Sequence, residues 1–129
     1  GLEEVGFFDE EYFAYHEEVD WCARARAAGL RVVYAPQAAV THRGEGSSGG
    51  RRYVSRKQYL VARNMVRFVA RHGSWLEKLR FGVFLVGTLP LQFLRRLLTG
   101  EQGGVVLKMR GVRDALLGRP IPRRELGLD

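Results

Sequence analysis

The sequence predicts an α/β unit over residues 1–50, followed by a basic α-helical region over residues 51–129. Three observations carry this expectation. A helical pattern at residues 17–28 runs directly into two short extended stretches, 31–36 and 38–42. At Arg51 the chain changes character, and long amphipathic and apolar runs replace short mixed ones. Charge divides in a similar way. Residues 1–20 hold eight of the fourteen acidic side chains and no Lys or Arg. Residues 21–129 hold all 21 Lys and Arg against six acids, a formal +15 within a net +7.

Each element has a local cause. Residues 7–15, FFDEEYFAY, place acids between aromatics and suggest a turn or short helix around Asp9, Glu10 and Glu11. The helix from Glu17 to Ala28 opens on Glu17, Glu18 and Asp20, which suit the positive end of the helix dipole. Alanines fill its interior, and Gly29 fits the position just past its end. RVVYAP reads as a buried strand closed by Pro36, and AAVTH (38–42) as a second extended run. RGEGSSGG (43–50) has loop composition. Residues 53–72 form a helical pattern closed by Gly73. Val54, Val61, Met65, Phe68 and Val69 lie on one face, and Arg56, Arg63, Arg67 and Arg71 on the other. Residues 81–94 carry no charge, contain Pro90 and are bracketed by Arg80 and Arg95-Arg96. The run is short for a membrane span and fits a core, re-entrant or interfacial segment. Residues 105–119 suggest one more basic helix.

Composition narrows the class. Hydrophobic residues make up 46% of 129, enough for a core and too many for a disordered chain. A single cysteine, Cys22, excludes an internal disulfide and a thiolate-built zinc site, and suits a reducing, cytosolic setting. Cys22 itself reads as a small buried helix residue. The chain starts GLEEVGFF, with neither Met nor a secretory pattern, and reads as a piece of a longer protein.

The stretch YHEEVDW (15–21) is where chemistry would concentrate. On a helix, Glu17, Asp20 and Arg24 share one side, while Glu18 points toward Trp21, Cys22 and Ala25. Apolar neighbours and adjacent acids raise a carboxyl pKa, which suits a general base. On spacing alone, an ordinary solvated acidic helix start is the stronger reading. His42, at a strand end before a Gly/Ser loop, has the chemistry to ligate a divalent metal or touch phosphate. Taken alone, a plain surface histidine is the stronger reading there too. His16 and His72 show nothing beyond ordinary placement.

The order of these residues says more than any one of them. Gly6-Phe7-Phe8-Asp9-Glu10-Glu11, Tyr15-His16-Glu17-Glu18-Val19-Asp20, then Arg24, Gly29, Pro36 and Val40-Thr41-His42-Arg43-Gly44 together resemble the C-terminal half of family 2 glycosyltransferases, nearest to bacterial rhamnosyltransferases. Arg63-Asn64-Met65-Val66-Arg67-Phe68 is similar to the helix that follows in that family. The resemblance implies a GT-A fold and transfer of a sugar from a nucleotide-diphosphate donor to a lipid-linked or polysaccharide acceptor, usually with inversion. It implies Glu17 and Glu18 as the catalytic acid pair, with Glu18 standing where the family usually has Asp. Asp20 and Arg43 would bind substrate, and His42 would hold a divalent metal, Mg2+ or Mn2+. The family's DxD motif is absent, since no two aspartates here are two apart, so the chain would hold the acceptor-side half of a site and be inactive alone. The basic helix and the uncharged run would rest on the inner face of the cell membrane, making the protein cytoplasmic and peripheral, with no nucleic-acid partner. The alternative is a non-catalytic basic module binding anionic membrane or nucleic acid, which needs only the basic region.

Overall fold

A computed structural model describes residues 2–41, 50–99 and 103–128. Its helices are α1 (Leu2–Val5), α2 (Glu17–Ala27), α3 (Gly50–His72), α4 (Trp75–Thr99), α5 (Gly103–Leu116) and α6 (Arg123–Leu126), with a 3-10 turn at Glu10–Tyr12. No strand or sheet occurs among the described residues, and this corrects the α/β, GT-A expectation. The RVVYAP stretch is irregular, and Val32, Val33 and Tyr34 are 51%, 70% and 89% exposed. A strand must pair its N–H and C=O groups with a neighbour. Apolar composition favours a strand but does not provide that neighbour, and none lies beside this run among the described residues. Residues 38–41 are irregular for the same reason, while His42 and Arg43 lie outside the described residues.

The helix ends follow the residues that make them. Gly29, at φ +81°, closes α2, with Gly29 N–H donating to Arg26 O (3.0 Å) and Leu30 N–H to Ala25 O (2.9 Å). This paired ending recruits two otherwise orphaned carbonyls. Between α3 and α4 only Gly73 and Ser74 intervene. A Cβ at Gly73 would press on the Val69 carbonyl. Ser74 and Glu77 cap the start of α4 reciprocally, Ser74 N–H donating to Glu77 Oε2 (2.7 Å) and Glu77 N–H to Ser74 Oγ (3.4 Å).

Helix α3 is the central element, and its faces differ from the sequence expectation. Tyr59, Leu60, Ala62, Arg63, Asn64 and Val66 are buried, whereas Met65 is 36% exposed. One cluster joins Tyr59, Leu60 and Leu126, packed by Ile121, Leu107 and Tyr15. A second joins Ala62, Val66 and Val112, packed by Phe81, Leu85 and Leu89 of α4. The helix is therefore covered on several sides, and its arginines do not form a free solvent face. Arg63 is 6% exposed, and Arg67 and Arg71 bond to Asp9. The periodicity fails here because a guanidinium can be buried where distant elements offer acceptors, as the Glu11 and Arg119 carbonyls do for Arg63.

Helix α4 runs straight through Pro90 for 25 residues. Only the Phe81, Leu85 and Leu89 stripe packs inward. Val83, Phe84, Val86, Leu91, Leu94 and Leu98 are all more than half exposed. By length and composition alone the stretch Trp75–Leu98 is long and apolar enough to cross a membrane.

Candidate functional site

The acidic corner of residues 9–20 sits against α3. Asp9 caps the 3-10 turn by accepting from Glu11 N–H (3.0 Å). Its carboxylate also accepts from Arg67 (3.2 Å) and Arg71 (2.7 Å). Burial pushes the Asp9 pKa up, but the Glu11 amide and the two guanidinium groups outweigh it and leave the group below the usual carboxylate range. Arg67 also pairs with Glu11 and lies 5.5 Å over the Tyr12 ring.

From Phe13 to His16 the backbone takes an unusual path. Phe13, Tyr15 and His16 all have positive φ, at 60°, 67° and 71°. Non-glycine residues avoid this region because Cβ crowds the backbone, at a cost of about 1–3 kcal/mol each. The conformation persists because Asn64, fully buried on α3, directs its amide nitrogen at three carbonyl oxygens: Tyr12 O (2.9 Å), Ala14 O (2.8 Å) and Tyr15 O (2.8 Å). Arg63 adds a bond to Glu11 O (3.0 Å). The Arg63-Asn64 pair thus clamps the loop that leads into Glu17 and Glu18.

Asp20 lies at the base of the corner and is fully buried. Its Oδ1 accepts from the Tyr12 hydroxyl (3.3 Å), lies 2.8 Å from His72 Nε2 and is 3.4 Å from Arg71. Its Oδ2 accepts from Arg24 Nε (2.8 Å), the pairing expected from their spacing. Burial raises the Asp20 pKa, yet the His72 and Arg24 hydrogen bonds and the Arg71 and Arg24 charges prevail, so it is lowered. Burial and the Asp20 charge together push the Tyr12 hydroxyl up to about 12. A second pair joins α3 to α5, where Tyr59 O–H donates to buried Asp114 (3.1 Å) and is likewise pushed up to about 12.

The remaining sequence candidates separate. Glu17 is half-buried, its Oε2 is buried without a hydrogen-bond partner among the described residues, and it lines a shallow groove of about 370 Å³ with Phe8, Asp9, Glu10, Phe13 and Arg123. Glu18 is exposed, so the apolar surroundings expected for it do not form. Periodicity places a residue on one side of its own helix and says nothing of what other elements cover that side. No group of three or more His, Cys, Asp or Glu side chains is placed to hold a metal among the described residues. Sequence reasoning missed Asn64 and His72. The adjacency of Arg63 and Asn64 near the middle of a helix was a usable signal for the first, since a mid-helix Asn is helix-neutral at best and usually has a partner. Nothing local pointed to His72.

Comparison with known proteins found one partial similarity. Over 75 residues the chain is similar to a rhamnosyltransferase. That stretch is 39% identical to N-acetylglucosaminyl-diphospho-decaprenol L-rhamnosyltransferase of Mycobacterium tuberculosis, with the same figures for strains CDC 1551 / Oshkosh and ATCC 25618 / H37Rv. It covers 56% of this chain and 23% of that enzyme. No family model and no solved structure matches the chain.

Proposed function

We propose that this chain is part of a family 2 glycosyltransferase that moves a sugar, a rhamnosyl unit foremost, from a nucleoside-diphosphate donor to a lipid-linked glycan, with inversion. The observation that carries the proposal is a strained acidic corner, clamped by Asn64, where the half-buried Glu17 carboxylate lines a groove and one of its oxygens has no donor among the described residues. A carboxylate so placed is free to accept the proton of an acceptor hydroxyl as that oxygen attacks the anomeric carbon and the nucleoside diphosphate departs from the opposite face. Glu17 and Glu18 are the pair assigned to this role, Glu17 lining the groove and Glu18 next to it in sequence and exposed. Asp20 stands behind them as a positioning residue. Arg43 at the substrate and a divalent cation, Mg2+ or Mn2+, at His42 complete the proposal.

Transfer from nucleoside-diphospho-rhamnose to a prenyl-diphosphate-linked amino sugar, followed with radiolabelled donor in the full-length protein, tests it. Glu17→Gln and Glu18→Gln should each lower turnover, and the pair together by about 100-fold or more. Full turnover in the double variant sinks the assignment. Chelation should stop transfer, and Mg2+ or Mn2+ should restore it.

The exposed side of α4 supports a peripheral membrane location. Its inward stripe packs on helices carrying Arg63, Arg67, Arg110 and Arg113, which would be costly to carry into hydrocarbon, so the helix suits the interface better than a span. Arg80, Arg95 and Arg96 near the ends of the apolar run match anionic headgroups. The full chain should bind phosphatidylglycerol vesicles, and Val86→Glu with Leu91→Glu should weaken that binding by about tenfold or more. Salt-sensitive binding to oligonucleotides with none to vesicles would instead favour the non-catalytic basic module.

A further inference from the structure

A cleft of about 1030 Å³ opens between the 3-10 turn, α3 and the segment after α5. Its walls carry Arg63, Arg67, Arg71, Arg119 and Arg123 against only Glu10 and Glu11. The acids do not neutralise this set. Arg67 and Arg71 have Asp9 and Glu11 as partners, but Arg63 has no carboxylate partner among the described residues. Its guanidinium donates only to neutral acceptors, Glu11 O (3.0 Å), Arg119 O (3.1 Å) and Asn64 Oδ1 (3.4 Å). Arg63 is 6% exposed, and its Nε, like that of Arg67, is buried with no acceptor among the described residues. A buried cation held by carbonyls alone leaves its charge uncompensated, and an anion is what would offset that cost. Arg119 reaches a carboxylate only at 3.8 Å, and Arg123 stacks over the Phe13 ring at 5.1 Å, so both keep guanidinium donors for a ligand.

The floor of the cleft points to the kind of anion. Val66 and Ala115 line it; Val66 belongs to the buried cluster against which both Ala115 and Phe81, near the start of the exposed apolar helix α4, are packed. A planar guanidinium fork matches phosphate oxygens two at a time, and several forks in one cleft fit a group with many oxygens and more than one charge. Building on the transferase reading above, we propose that this cleft holds the diphosphate of a prenyl-linked acceptor, with the apolar chain leaving along α4. The cleft shares Arg123 and Glu10 with the groove at Glu17, so a sugar attached to that diphosphate would lie next to Glu17.

Titration calorimetry of the full chain with inorganic pyrophosphate, UDP and farnesyl diphosphate tests the proposal. Farnesyl diphosphate should bind about tenfold or more tightly than UDP or pyrophosphate. The double variant Arg119→Gln/Arg123→Gln, which changes two exposed side chains and spares the fold, should lose about tenfold or more in affinity. Arg31→Gln, an exposed arginine that does not line the cleft, should lose none. UDP binding as tight as farnesyl diphosphate, or affinity unchanged in the double variant, overturns the assignment. Sugar transfer is not read in this experiment. An inactive protein that keeps the binding pattern would therefore count against the transferase reading alone, and an active one without it would count against the cleft alone.

Discussion

At the residue scale, Asn64 shows how a single side chain can fix a site it does not belong to. Three consecutive-turn carbonyls converge on its amide, and removing it leaves them without that donor in a loop that already holds three positive-φ residues. Asn64→Ala should destabilise the chain by about 2–4 kcal/mol, read by urea denaturation, and residues 12–16 should become the first site of limited proteolysis. Glu17 makes the opposite case. Its buried oxygen lacks a donor, so Glu17→Gln should leave stability unchanged or raise it by up to about 1 kcal/mol while transfer falls. A loss of stability on that substitution would mean the carboxylate has a structural partner instead.

At the element scale, the crossing of α3 and α5 is set by a glycine. Gly111 is buried in the middle of α5, where Gly costs about 1 kcal/mol in helix propensity relative to Ala. It is tolerated because a Cβ there would collide with the Tyr59 carbonyl oxygen and lie 3.2 Å from that carbonyl carbon and 3.3 Å from Arg63 N. Gly111→Ala should therefore destabilise by about 1–3 kcal/mol despite its better propensity, with a lower denaturation midpoint as the measure. The separation of the two helices also positions Arg63, so the same variant should weaken farnesyl diphosphate binding at the cleft. Two helix ends were readable from single residues, Gly29 after α2 and Gly73 after α3, whereas the Ser74 and Glu77 cap that starts α4 was not read. The extended run at 31–36 was misjudged because a strand is defined by its partner, which lies elsewhere in sequence or not in this chain's described residues at all.

At the scale of the whole molecule, two buried Asp–Tyr pairs lie against α3, Asp20 with Tyr12 beside His72 and Asp114 of α5 with Tyr59 of α3. Both tyrosines are raised from 10.0 to about 12 in the folded chain. The unfolded chain releases these protons near pH 10, whereas the folded chain keeps them until about 12, so the stability they contribute is complete below pH 10 and is lost as pH rises from 10 to 12. The aspartates act with the other sign. Asp9, Asp20 and Asp114 are lowered, so their contribution is complete above the usual carboxylate range and is lost as pH falls through it. Circular dichroism against pH should show a flat plateau between these limits. Tyr12→Phe should reduce the alkaline loss, since it removes one of the two raised hydroxyls.

What the sequence by itself determined was local. The helix beginning at Glu17 and its glycine stop, the long helix ending at His72, the basic helix near the C-terminus and the division between acidic and basic segments all follow from propensity, caps and composition within a few residues. Tertiary structure alone decided how the two charged segments are used. Asp9 meets Arg71, Asp20 meets His72 and Asn64 meets Tyr15 across about fifty residues of chain, so arginines that periodicity assigned to solvent became the clamp and cleft around the acidic corner. The physical reason is that a buried charge or amide needs a partner somewhere in the fold, and local sequence shows the need without showing which distant residue meets it.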